Sequence, residues 1–158
     1  ATARRPKEWP ILPTILFAAF AGIRTREIQR LDWSQVGTEW IEVTPKRTRT
    51  ASRRLVPILP ALARSLPNDR PTSGPVCRYG DSITGAFARL ATRAGIQWKR
   101  NALRHSFISY RLAMVKNPTE VALECGNSPA VIFQHYRERV KPDQAEQWFA
   151  TVAQNGHK

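Results

Sequence analysis

The sequence predicts a mainly α fold with one small antiparallel β-sheet, and three observations lead there. Helix start signals recur along the chain, with a polar cap followed by proline at Asn117–Pro118 and again at Ser128–Pro129. Two short segments read as strands, "EWIEV" at 39–43 and "RRLVPI" at 53–58. Finally, 158 residues that are 42% hydrophobic and include five Trp suit one domain with one sizeable core.

Residues 12–21 form an apolar helix that stops at Gly22. Thr25 is expected to cap a short helix, "REIQRL", with Ile28 and Leu31 on one face. In "EWIEV", Trp40 and Glu42 face one way and Ile41 and Val43 the other, as in a half-buried strand. Pro57 marks the edge or end of the second strand. The basic segment "TPKRTRTAS" joins the two as a hairpin-like connection. Pro60 begins a helix through Leu66, and a loop rich in Pro, Ser, Gly and Asn follows at 67–75. Asp81 is expected to cap a helix over about 82–94, closed by Gly95, with Ile83, Phe87, Leu90, Ala91 and Ala94 at a 3.6-residue period. Further helices are read at 101–115, from Pro118 to a stop at Gly126, from Pro129 onward, and over "PDQAEQWFATVA". The last offers Ala145, Trp148, Phe149 and Val152 for docking.

Charge narrows the function. Lys and Arg number 25 against 12 Asp and Glu, a formal net charge of +13. Such an excess predicts a polyanionic partner, most simply nucleic acid, the plain alternative being a generically basic surface. Cys77 and Cys125 lack metal-ligand spacing and read as reduced thiols of a cytoplasmic protein. The longest apolar run, "ILPTILFAAFAGI", contains Pro13 and is shorter than the ~20 residues of a membrane span. The start, "ATARRPKEWP", has no apolar signal segment and reads as the beginning of a fragment of a longer protein.

Four places hold candidate chemistry. Arg24 sits between a helix stop and the next helix, with Glu27 three residues on to orient it; an ordinary surface Arg with a neighbouring Glu is the bland alternative. Lys46, Arg47, Arg49, Arg53 and Arg54 crowd the hairpin without an acid between them, as a phosphate-tracking element or a solvated turn. Arg104 lies beside the apolar Leu103 and Phe107, where a guanidinium needs a partner or a ligand, and paired guanidinia suit phosphate. His105 next to it either donates to phosphate or packs, and Asn101 is either a helix cap or a substitute for a more reactive group. Tyr136, between His135 and Arg137, is a core residue, a hydrogen-bond donor or a nucleophile. A phenol attacks phosphorus only with cations nearby and a proton acceptor. The acidic residues are scattered, without a pair suited to two Mg²⁺ ions, and the His and Cys residues lack zinc spacing. Phosphoryl chemistry here would thus be metal-free, with arginines stabilising the charge.

In order, "GIRTREI", the hairpin ending "RRLVP", "NALRHSF" and "GNSPAVIFQHYRE" resemble the catalytic domain of tyrosine recombinases, the phage-integrase family. The similarity runs over almost the whole chain and includes the nine-residue step from Asn127 to Tyr136. It implies a tyrosine-recombinase catalytic-domain fold spanning 1–158, with an N-terminal DNA-clamping domain lying outside this fragment. It also implies site-specific recombination or integration on double-stranded DNA, without metal or nucleotide cofactor, through a 3′-phosphotyrosyl intermediate. By position, Tyr136 would be the nucleophile, Arg24 and Arg104 the phosphate clamp, and a hairpin lysine the general acid. Lys46 is the only hairpin lysine, whereas the family spacing points near Arg49, which cannot release a proton. Asn101 and Asn127 stand where the family commonly keeps His, Lys or Trp, and an amide donates hydrogen bonds without moving protons. His105 or His135 would have to substitute. Lys99 and Arg100 are expected to extend the DNA-contacting set. The family acts as a homo-tetramer on synapsed DNA, so a monomer is expected for the free fragment, and the final helix is a candidate for exchange between neighbours or for packing on its own domain. A degenerate, non-catalytic DNA-binding relative on the same fold is the alternative. An RNA-binding helical domain has little support, since suitable stacking aromatics are not evident.

Overall fold

Helix α1 (Leu12–Phe20) forms the spine of the fold in the computed structural model, which describes residues 11–44, 53–136 and 140–151. Pro13 lies in its first turn, where a missing N–H costs nothing, and Leu16, Phe17 and Phe20 are buried. Burial of side chains of this size stabilises by roughly 1.5–3 kcal/mol each. The chain turns at Gly22 with φ near +60°. A side chain there would collide with the Phe107 ring, so glycine is required for both conformation and space.

A four-residue helix α2 (Thr25–Ile28) follows, then a 3₁₀ turn at Trp33–Gln35 and the antiparallel pair β1 (Trp40–Val43) and β2 (Arg54–Pro57). Ile41 faces Val56 across the ladder and both are buried, whereas Trp40 and Leu55 are exposed, as the alternation predicts. Helix α3 (Pro60–Ser65) leads through the 67–75 loop to a second 3₁₀ turn, Gly80–Ser82, and then to α4 (Ile83–Ala94), closed by a left-handed Gly95. The C-terminal half is α5 (Ala102–Val115), α6 (Pro118–Cys125), α7 (Pro129–Tyr136) and α8 (Pro142–Ala150). The mainly helical fold with one small sheet is therefore as expected.

Two apolar clusters meet around α5. One gathers α1, the strand pair, α3 and α4; the other contains Phe107, Ile108, Val121, Ala122, Cys125, Ile132 and Tyr136. Helix α8 closes over both. Trp148 stacks on Tyr110 at 4.7 Å and donates its indole N–H to the Ala19 carbonyl at 3.1 Å, and Phe149 meets Phe107 edge-on. Its aromatic face thus packs on its own domain, the plainer of the two expectations for this helix. Val152 lies outside the described residues.

Four local expectations are corrected. Thr25 is the first helical residue rather than the cap, because Arg24 holds the cap position while Glu27 Oε2 accepts the Arg24 backbone N–H at 3.0 Å. Helix α2 also ends at Ile28, short of Leu31. Asp81 does not cap α4 but lies within the 3₁₀ turn, leaving Ser82 at the boundary without a side-chain cap. Ala94 is exposed, while Ala86 joins Ile83, Phe87 and Ala91 in the core.

Candidate active site

The junction between α1 and α2 aims Arg24 toward the N-terminus of α7. Its Nη2 donates to the Gly126 carbonyl at 2.7 Å and to Asn127 Oδ1 at 2.9 Å, and Nη1 donates to Glu27 Oε1 at 3.3 Å. Glu27 is also gripped by Arg54 of β2, whose two terminal nitrogens reach its two oxygens at 2.8 Å each. Burial alone would raise the Glu27 carboxyl, but the Arg54 hydrogen bonds and charge, assisted by Arg24, outweigh it and hold the group at about 2. One ionised carboxylate therefore orients two guanidinia. Gly126, with φ near +65°, lets this knot form: a side chain there would press on both arginines.

Arg104 is 6% exposed on α5. It donates to the Gly22 carbonyl and, at 2.8 Å, to the Cys125 carbonyl, tying the end of α1 to the end of α6. Burial pulls its guanidinium down to about 10, and Arg24 and Arg54 push the same way against Cys125 and Glu27. It is still a cation at neutral pH. Further N–H donors of the fork are left over from these two bonds, and Arg104 lines the cleft described next. Burial also drives the neighbouring Cys125 thiol up to about 11, which keeps it un-ionised.

Between α5, α7 and the segment before α5 lies an open cleft of about 790 Å³. Arg24, Asn101, Arg104, His105, Asn127 and Tyr136 all line it, with Lys99 and Arg100 exposed at its rim. The Tyr136 hydroxyl is hydrogen-bonded to His105 Nδ1, the two rings lying 5.8 Å apart at 22°. Asn101 adopts a left-handed conformation, φ 57°, and makes no side-chain cap bond. Asn101 thus holds the cap position of α5, its carbonyl accepting the His105 N–H at 2.9 Å, but its side chain makes no cap bond and lines the cleft. Asn127 accepts from Arg24 through its oxygen, which directs its amide N–H₂ elsewhere. Ser109 and Tyr110 also line the cleft, and Ser109 was legible as the residue one helical turn beyond His105.

The hairpin set divides. Lys46, Arg47 and Arg49 lie outside the described residues, as do Arg137 and the connection at 45–52. Arg53 pairs with Glu42 at 3.2 Å on the surface. Arg54, grouped with the phosphate-tracking cations, turns inward instead, since Glu27 and the Glu124 carbonyl take up its donors. Among the described residues no group of three His, Cys, Asp or Glu is placed to hold a metal ion.

No protein-family model matches the chain, and no curated protein matches it. Among solved structures, the chain is similar to the catalytic domain of bacteriophage HP1 integrase, with a TM-score of 0.59 at 24% identity, over 85% of this chain and 77% of that one. The fold is that of an integrase catalytic domain, as the motifs led one to expect. No helix among the described residues is long and apolar enough to cross a membrane.

Proposed function

We propose that the chain is the C-terminal catalytic domain of a tyrosine-type site-specific recombinase, breaking and rejoining double-stranded DNA without a metal. One observation carries this reading: Arg24, Arg104 and Tyr136, far apart in sequence, line one cleft with Asn101, His105 and Asn127. Tyr136 attacks a backbone phosphate, forming a 3′-phosphotyrosyl bond and releasing a 5′-hydroxyl. Arg24 and Arg104 face the non-bridging oxygens and stabilise the charge of the five-coordinate transition state. Both are held by protein carbonyls and, for Arg24, by Glu27, so little reorganisation accompanies the reaction. The Asn101 and Asn127 amides donate hydrogen bonds to the same phosphate. Lys46 protonates the leaving oxygen, and Lys99 and Arg100 follow the DNA backbone. Recombination between two duplexes proceeds in a tetramer, with a separate N-terminal domain closing around the DNA.

A second reading, a DNA-binding relative that does not cut, draws on Asn101 and Asn127 standing where proton-handling side chains are usual in the family. Trapping on a nicked suicide duplex separates the two. The enzyme leaves a covalent protein–DNA adduct that Tyr136→Phe abolishes. The binding module shows salt-sensitive binding that Tyr136→Phe leaves unchanged, and no adduct.

A further inference from the structure

We infer that His105 is the general base that takes the phenolic proton of Tyr136, an inference resting on the strand-transfer reading above. The Tyr136 hydroxyl lies in hydrogen-bond contact with His105 Nδ1, and the rings are stacked rather than edge-on. With its proton on Nε2, the imidazole accepts at Nδ1 from the phenol. Helix α5 produces this placement. His105 follows Asn101 by four residues and precedes Ser109 by four, so the three share the cleft face, which the buried Arg104 beside His105 also lines. His105 is exposed and Tyr136 is 8% exposed, so the base is accessible and the nucleophile is held still. Asn101 has no proton to exchange near neutral pH, which leaves this step to another side chain.

The proton on Tyr136 Oη passes to His105 Nδ1, the Oη–P bond forms, and the bond from phosphorus to the 5′-oxygen breaks. The leaving oxygen takes its proton from an ammonium group or from water. On rejoining, the imidazolium returns its proton to the departing phenolate. Among the described residues, the charged and titratable groups that line the cleft with His105 are Arg104 and Tyr110 on its own helix, Arg24 ahead of α2, Lys99 and Arg100 ahead of α5, and His135 and Tyr136 on α7.

The test uses full-length protein and a nicked suicide duplex, selected from a random-sequence pool by covalent capture on the wild type. His105→Gln should keep its DNA affinity and thermal unfolding temperature but form adduct roughly 10²-fold more slowly or worse, as expected for a lost general base. The wild-type rate should fall in acid as imidazole protonates, and His105→Gln should lack that limb. Added imidazole should partly restore His105→Ala. A duplex with sulfur replacing the bridging 5′-oxygen needs no acid for its leaving group, so it should leave the His105→Gln defect intact while rescuing Lys46→Ala. The inference is overturned if His105→Gln stays within about threefold of wild type, or if the sulfur substrate erases its defect, which would assign His105 to the leaving group. Absence of any wild-type adduct overturns the strand-transfer reading itself, and this inference with it.

Discussion

Glu27 carries the highest stakes of any single side chain outside the reacting groups. Its folded-state value of about 2 lies below the ordinary 4.5. Ionisation therefore favours the fold above about 4.5, and that contribution is lost as pH falls toward 2. The shift corresponds to about 3 kcal/mol at neutral pH. Glu27→Gln should thus be destabilised by about 3–5 kcal/mol at pH 7, since two arginines lose their carboxylate. Denaturant titrations of both proteins should show the gap narrowing between pH 5 and pH 3. The sequence made part of this legible. Glu27, three residues after Arg24, was readable as its orienting acid, and Arg104 beside Leu103 and Phe107 as a buried cation with partners. Arg54 was not readable in the same way: its partner lies 27 residues back, and nothing local distinguishes it from the exposed Arg53. The His105 contact with Tyr136, spanning 31 residues, was hidden for the same reason.

At the level of elements, the junctions position the site more than the helices do. Asn101 opens α5 in a left-handed conformation, which Asn and Gly tolerate and β-branched residues do not. Asn101→Gly should leave the melting temperature nearly unchanged, whereas Asn101→Val should cost about 1–2 kcal/mol by thermal unfolding. Trp148 docks α8 through stacking on Tyr110 and a bond to Ala19. Trp148→Ala should lower stability by about 2 kcal/mol and raise protease sensitivity at the C-terminal end. Proline-led starts at α3, α6, α7 and α8 were all legible, because a proline in the first turn declares itself locally. The starts of α2 and α4 were not. There a tertiary hold on Arg24 and an intervening 3₁₀ turn overrode Thr25 and Asp81, both respectable caps by type.

Over the whole molecule, a net charge of +13 is matched to a polyanion. DNA binding should weaken linearly in log–log with salt; neutralising about five phosphates predicts a roughly 500-fold loss between 50 and 200 mM. A filter-binding titration measures it, and a flat response would detach the charge from DNA. Covalent joining of Tyr136 to DNA is decided by mapping the linkage. Full-length protein trapped on a nicked suicide duplex is digested with protease, and the DNA-bearing peptide is sequenced by mass spectrometry. A phosphodiester mass is expected on Tyr136 and on no other residue. An adduct mapped elsewhere, or no adduct from protein that binds the duplex, would contradict it.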